Sequence, residues 1–150
     1  MALRMRRAGF ADKPLLMQLI AAFCEADGHA FDRASLERAL PPLLADDAFG
    51  VVWLLDAPVL GYAVVTWSYS LESGGREALL DEIYLARQGQ GIGGEFLQAI
   101  ISDLREREIQ RFFLETELHN ERVRGFYARH GFEADDSVWM SRDIARHSPE

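Results

Sequence analysis

The sequence predicts a single α+β domain, and three observations carry that expectation. Three runs rich in valine, tryptophan and tyrosine lie between Phe49 and Leu85 and are joined by short turns, a strongly amphipathic helix follows, and strand character returns at Arg111. Consecutive strands with short turns make an antiparallel meander, whereas a strand, helix, strand sequence makes a parallel crossover. The length of 150 residues suits one domain, here spanning 1–150, and 49% hydrophobic with 11% aromatic residues supply its core.

The elements follow in order. Leu3, Met5 and Arg7 alternate with Arg4 and Arg6 as a short strand should. Asp12 then caps a helix with Pro14 in its first turn, whose face is Leu15, Leu16, Leu19, Ile20 and Phe23, and Gly28 ends it. Asp32 to Leu44 reads as a second helix, bent or broken at Pro41 and Pro42. Phe49–Leu55 and Leu60–Tyr69 form a hairpin across Asp56-Ala57-Pro58, and a turn at Ser73-Gly74-Gly75 leads to a strand over Ala78–Leu85. Phe96, Leu97, Ile100, Ile101 and Leu104 mark the amphipathic helix, and Arg111–Leu118 the crossover strand. A short helix with Val123, Phe126 and Tyr127 is capped by Asn120 and stopped by Gly131, and Val138–Met140 closes the sheet as a last strand.

Charge and cysteine usage narrow the function. Sixteen basic against 24 acidic residues give a net charge of −8, which repels phosphate backbones and anionic lipid, so no nucleic-acid or membrane partner is expected. Cys24 is the sole cysteine, which leaves no internal disulfide and fits a reducing, cytoplasmic setting. The apolar run Leu15–Cys24 is interrupted by Gln18 and preceded by Asp12, Lys13 and Pro14, unlike a signal peptide.

The segment Gln88-Gly89-Gln90-Gly91-Ile92-Gly93-Gly94 stands between a strand and the best helix, with four glycines among residues 89–94. Glycines let a ligand approach the backbone, and the amides at a helix N-terminus carry about half a positive charge, so the arrangement suits phosphate oxygens. Gly89, Gly91 and Gly94 also satisfy the dinucleotide fingerprint, with Glu115 and Glu117 downstream. That reading fails because Ala86, Arg87 and Gln88 separate the loop from its strand, and because a doubly wound sheet has no place for the upstream meander.

From about Leu79 to Met140 the sequence resembles the GNAT superfamily of acyl-CoA-dependent N-acyltransferases. Gln88, Gly91 and Gly93 match that family's [Gln/Arg]-x-x-Gly-x-[Gly/Ala] loop, and Asn120, Phe126-Tyr127 and Gly131-Phe132 match a second element after the next strand. The resemblance implies a mixed, mostly antiparallel twisted sheet with helices on both faces, acetyl-CoA as acyl donor, and no metal. It places the coenzyme's pyrophosphate on the amides of Gly89, Gln90, Gly91, Ile92, Gly93 and Gly94, beside Gln88. The pantetheine arm then runs along the backbone of Ile83 and Leu85, with Asn120 and Tyr127 as further contacts. A homodimer is compatible with it.

The chemistry needs a base, since an alkylamine of pKa near 10.4 is only about one part in 10³ neutral at pH 7. Asp81 and Glu82 are the candidates; neighbours on a strand face opposite ways, so one should face the acceptor: the resemblance implies Asp81, the position where some relatives carry a glutamate base, while the longer side chain and a bulge there would favour Glu82, and the sequence does not separate them. Tyr127 is either a helix-face packing residue or, as the family match implies, the proton donor to the departing thiolate; typical thiol and phenol pKa values differ by only about 1.5 units. Trp53, Trp67 and Tyr69 are core or acceptor-pocket wall. Acidic Glu25, Asp27, Asp32 and Glu72 suggest a small cationic or amino-acid-like amine acceptor, with an N-terminal or lysine protein acetyltransferase, or a non-catalytic acyl-CoA-binding module, as the alternatives.

Overall fold

The computed structural model describes residues 2–145 and divides into two compact units, one running to Glu117 and one starting at Leu118. The first unit contains β1 (Arg4–Arg7), α1 (Lys13–Asp27), α2 (Arg33–Ala45), β2 (Gly50–Ala57), β3 (Gly61–Ser70), β4 (Gly75–Leu85), α3 (Ile92–Glu106) and β5 (Arg111–Phe113). Its sheet has the order β1-β2-β3-β4-β5, antiparallel throughout except for the parallel β4–β5 pair. The second unit contains α4 (Glu121–Arg129).

Strand alternation sorts the core into two layers. Val52 and Leu54 of β2 and Tyr62 and Val64 of β3 pack with Leu16, Met17, Leu19 and Ile20 of α1 and Leu40 and Leu44 of α2. The intervening residues Val51, Trp53, Leu55, Ala63 and Val65 are buried as well, so they need a cover on the opposite face. The apolar stripe of α3 supplies it: Phe96, Leu97 and Ile100 are fully buried, and Arg107, just past the helix, sits 5.3 Å from the ring of Trp67, which shares the face of Ala63 and Val65. Each such fully buried side chain contributes about 1.5–3 kcal/mol. Helices therefore cover both faces of the sheet.

Four local expectations change. Asp12 does not cap α1: its carboxylate accepts from the Gly9 amide at 2.8 Å and from both terminal nitrogens of Arg6 at 2.9 Å, and a 3₁₀ turn over Phe10–Asp12 leads into the helix instead. Arg6 also reaches Asp56 at 2.8 Å, tying β1 to the end of β2. Second, α2 continues through Pro41 and Pro42. Leu40 and Leu44, each 3% exposed, anchor it on both sides of the prolines, and burial outweighs the lost amide bonds. Asp32 caps it from the Ser35 amide at 3.1 Å.

Third, β5 ends at Phe113 rather than Leu118, because its parallel partners on β4 are only Glu77, Ala78 and Leu79. Fourth, Val138–Met140 forms no strand; these side chains are 88%, 72% and 91% exposed, and three residues are short for a strand that buries no face.

Candidate active site

Asp81 and Glu82 differ because β4 carries a β-bulge between them and their neighbours. Leu80 pairs with Val65 and Glu82 with Val64, so Asp81 is the extra residue. Were Asp81 in the ladder, Leu80 and Glu82 would share a face; the bulge shifts the phase and delivers Glu82 to the α1/α2 face, with Val64 and Tyr84. Asp81 remains exposed, although the surrounding protein still pushes its carboxyl up.

Glu82 is half-buried and meets a set of aromatic rings. The hydroxyl of fully buried Tyr62 donates to Oε1 of Glu82 at 2.7 Å. Phe23 of α1 stands edge-on to Tyr62 at 6.4 Å and to Tyr84 at 6.5 Å, and the two tyrosine rings lie 6.2 Å apart. Burial raises the Glu82 carboxyl above its ordinary range and nearby Asp81 adds to this, while the Tyr62 hydrogen bond and His29 pull it back. Burial followed by the charge of Glu82 holds the Tyr62 phenol far above its ordinary range, so the hydroxyl keeps its proton. Cys24 is half-buried, and burial with the charges of Glu82 and Asp27 pushes its thiol up, away from nucleophile chemistry.

The glycine loop leaves the same strand a few residues later. Gly89, Gln90 and Gly91 all have positive φ (119°, 58° and 72°), a run that turns the chain sharply into α3. No side chain caps the first turn of α3, and a Cβ built at Gly89 or Gly91 meets nothing within 4 Å. Leading amides and open space together suit an anionic group. Upstream, the Ala86 amide donates to the Leu60 carbonyl at 2.8 Å, so by alternation the peptide groups of Ile83 and Leu85 face away from β3. Since β5 has already ended at Phe113, no strand pairs with that edge among the described residues. The uncapped helix, the open loop and the bare strand edge fit a molecule carrying both phosphates and an amide-bearing arm, as coenzyme A does.

In the second unit the Asn120 side chain accepts from the Val123 amide at 3.2 Å and caps α4. Tyr127 packs edge-on against Phe126 and Phe132, with ring centroids 5.2 and 5.5 Å away, and burial raises its phenol.

Several expected assignments move. Of the core and pocket-wall alternatives, Trp53 takes the core, buried on the α3 face, and none of the three lines the wall at Glu82: the Arg76 and Arg107 guanidiniums lie 5.0 and 5.3 Å from the Trp67 ring, and Tyr69 is 72% exposed. The aromatic wall at the carboxylate is Phe23, Tyr62 and Tyr84 instead. Register is the signal that finds them, since Tyr62 pairs with Tyr84 and neighbours the Val64–Glu82 pair. Asp32 is engaged as a helix cap and Asp27 pairs with His29 at 2.6 Å, while Glu25 and Glu72 are exposed. No group of three His, Cys, Asp or Glu side chains gathers among the described residues in a way that could hold a metal ion, and no described helix is long and apolar enough to cross a membrane.

A bulged strand that presents a half-buried carboxylate, ends in a bare edge and feeds a glycine loop at a helix N-terminus defines an acyl-CoA-dependent transferase. Residues 15–132 match the Acetyltransferase (GNAT) family, and the chain belongs to that family of acetyl-CoA-dependent N-acetyltransferases. Among solved structures it is similar to an integron cassette protein from the mobile metagenome of Cole Harbour Salt Marsh, with 27% identity, a TM-score of 0.82, and coverage of 95% of this chain and 91% of that one. A ribosomal-protein-alanine N-acetyltransferase from Brucella melitensis biovar Abortus 2308 shares the fold at 20% identity and a TM-score of 0.73, over 95% of this chain and 100% of the other. So does an aminoglycoside acetyltransferase from an uncultured soil metagenomic sample, at 20% identity, a TM-score of 0.72, and 96% and 97% coverage. No curated protein sequence matches the chain.

Proposed function

We propose that this chain, acting as one acyltransferase domain over residues 1–150 in the cytoplasm, acetylates a primary amine on a small cationic or amino-acid-like acceptor. The observation that carries the proposal is Glu82: the β4 bulge turns it toward the α1/α2 face, and a buried tyrosine that belongs to a cluster of three aromatic rings holds it. Such a setting attracts an alkylammonium ion through the carboxylate. Burial brings the carboxyl closer to the operating pH, which improves it as a base.

In this reading acetyl-CoA supplies the thioester carbonyl and a thiolate leaving group. The amides of Gly89, Gln90, Gly91, Ile92, Gly93 and Gly94, beside Gln88, hold its pyrophosphate, the outward peptide groups of Ile83 and Leu85 hold its amide-bearing arm, and Asn120 adds a contact. Glu82 takes a proton from the ammonium and passes it to solvent, the freed nitrogen attacks the thioester carbonyl, and as the C–S bond breaks the nitrogen gives its second proton to Glu82, leaving the neutral amide. Tyr127 gives its proton to the departing sulfur and recovers one from solvent. Asp81 raises the basicity of Glu82 without touching the acceptor.

Two measurements test this. Calorimetry should detect acetyl-CoA binding and no NAD binding. Thiol release should then be followed across a panel of polyamines, aminoglycosides, amino acid derivatives and peptides with free N-termini or lysines. Turnover confined to the peptides would make the chain a protein acetyltransferase, and coenzyme binding without turnover on any amine would make it a binding module.

A further inference from the structure

Tyr62 is invisible to the usual search for catalytic residues, since it is fully buried and lies one strand away from the carboxylates. A tyrosine committed only to packing would be served as well by phenylalanine, because a buried hydroxyl must find a partner or destabilise the core. Here the partner is Oε1 of Glu82 at 2.7 Å, a well-formed hydroxyl hydrogen bond. The donor itself cannot wander. Its ring is fully buried, edge-on to Phe23 at 86° and beside Tyr84, on a strand bonded on both sides. Oε2 makes no hydrogen bond among the described residues. One oxygen of the carboxylate is fixed and the other is left available.

We infer that Tyr62 is a positioning residue, which clamps one oxygen of Glu82 so that the other is presented to the acceptor amine and stays ionised in a half-buried site. The inference rests on the proposed role of Glu82 as base. A glutamate side chain without such a clamp samples several rotamers, and holding a base in one orientation is a recognised part of catalysis. The groups that act on Glu82 are Asp81 on its own strand, Tyr62 on β3 and His29 just after α1; Cys24 on α1 feels the charge of Glu82, and Asp27 on α1 pairs with His29. Of these, Tyr62 is the neighbour that donates a hydrogen bond to the carboxylate, so removing it leaves burial and Asp81 opposed only by His29.

The experiment is Tyr62→Phe, with exposed Tyr69→Phe as the control. The kcat–pH profile is measured together with the Glu82 carboxyl titration by carbon NMR, its signal assigned by loss in Glu82→Gln. For Tyr62→Phe, kcat should fall at least tenfold at neutral pH, the acid limb and the carboxyl midpoint should both move up by about one unit, and the KM for acetyl-CoA should hold. If the cavity left by the hydroxyl unfolds the chain, Tyr62→3-fluorotyrosine keeps the packing with a stronger donor, and its acid limb should move the opposite way. Profiles in both variants that superimpose on the parent's overturn the inference. Full activity in Glu82→Gln overturns instead the reading of Glu82 as base, so the two failures are distinguishable.

Discussion

Gly91→Ala separates backbone strain from ligand approach, because the structure predicts a small effect on one and a large effect on the other. Gly91 has φ 72° and ψ 12°, a left-handed conformation that costs an L-residue about 1–2 kcal/mol. A Cβ there meets nothing within 4 Å, so no clash adds to that figure. For a domain of this size about 1 kcal/mol corresponds to a fall in Tm of roughly 2–4 °C. Binding should suffer more. If the leading amides of α3 hold the pyrophosphate, a methyl group in the open space keeps phosphate oxygens away from them. Losing even one or two charge-assisted hydrogen bonds of about 1.5–3 kcal/mol weakens affinity by roughly 10- to 100-fold or more. The control is Gly74→Ala, at the other end of β4, where φ is 86° and a Cβ again meets nothing within 4 Å. Calorimetry with coenzyme A and thermal melts of both variants decide the matter. Both should melt a few degrees lower, and only Gly91→Ala should bind weakly. Equal affinities in the two variants would refute the loop assignment.

Three further outcomes are expected. Tyr127→Phe retains the ring packing on Phe126 and Phe132, so Tm and coenzyme affinity should hold while turnover falls about 10²-fold or more under conditions where chemistry limits the rate. Glu82→Gln should lose about 10²–10⁴ in kcat, whereas Asp81→Asn, at the exposed bulge, should lose under tenfold; the reverse ranking in a steady-state assay would move the base to Asp81. Asp12 has its carboxyl lowered by the Arg6 hydrogen bond and then by the Gly9 amide, so it stabilises the fold above its unfolded pKa and this contribution is lost as pH falls through its folded value. Asp12→Ala should therefore cost about 1–2 kcal/mol in urea melts at pH 7, and the difference from the parent should shrink as the pH falls below the ordinary carboxylate range.

What the sequence disclosed was whatever depends on periodicity and local chemistry. The meander, the α3 stripe from Phe96 to Leu104, the left-handed stop at Gly28 and the Asn120 cap are all written in residues close together along the chain. The misreadings arose where distant partners decide. Asp12 had the right chemistry for a cap but bonds Arg6 and Gly9 instead, and Pro41-Pro42 would break an isolated helix but not one pinned by Leu40 and Leu44. Arg111–Leu118 has strand composition over its length, yet β4 offers it partners for three residues only. At the site, the carboxylate pair was visible but its division was not, because the sequence suggests a bulge without fixing which residue it expels from the ladder. Tyr62 was hidden for the same reason: its partner lies 20 residues away, across a register that only pairing defines.

Those register effects explain why so much of the candidate site lies on one strand. From Asp81 to Leu85, β4 rises roughly 13 Å at about 3.3 Å per residue. Within that length the bulge changes which face the side chains address, and the end of β5 changes what the backbone edge can bond. Glu82 and Tyr84 thereby face the α1/α2 layer while the peptide groups of Ile83 and Leu85, in the plane of the sheet, have no strand partner among the described residues. A side chain that handles protons and a backbone edge that takes an extended arm point in perpendicular directions from adjacent residues, so an acceptor and a donor could meet at β4 without competing for the same groups. A regular ladder would defeat this arrangement twice. Without the bulge Glu82 would share the face of Leu80, and with a longer β5 the amides of Ile83 and Leu85 would be paired to another strand. The bulge in β4 and the early end of β5 are therefore the features on which the proposed chemistry depends.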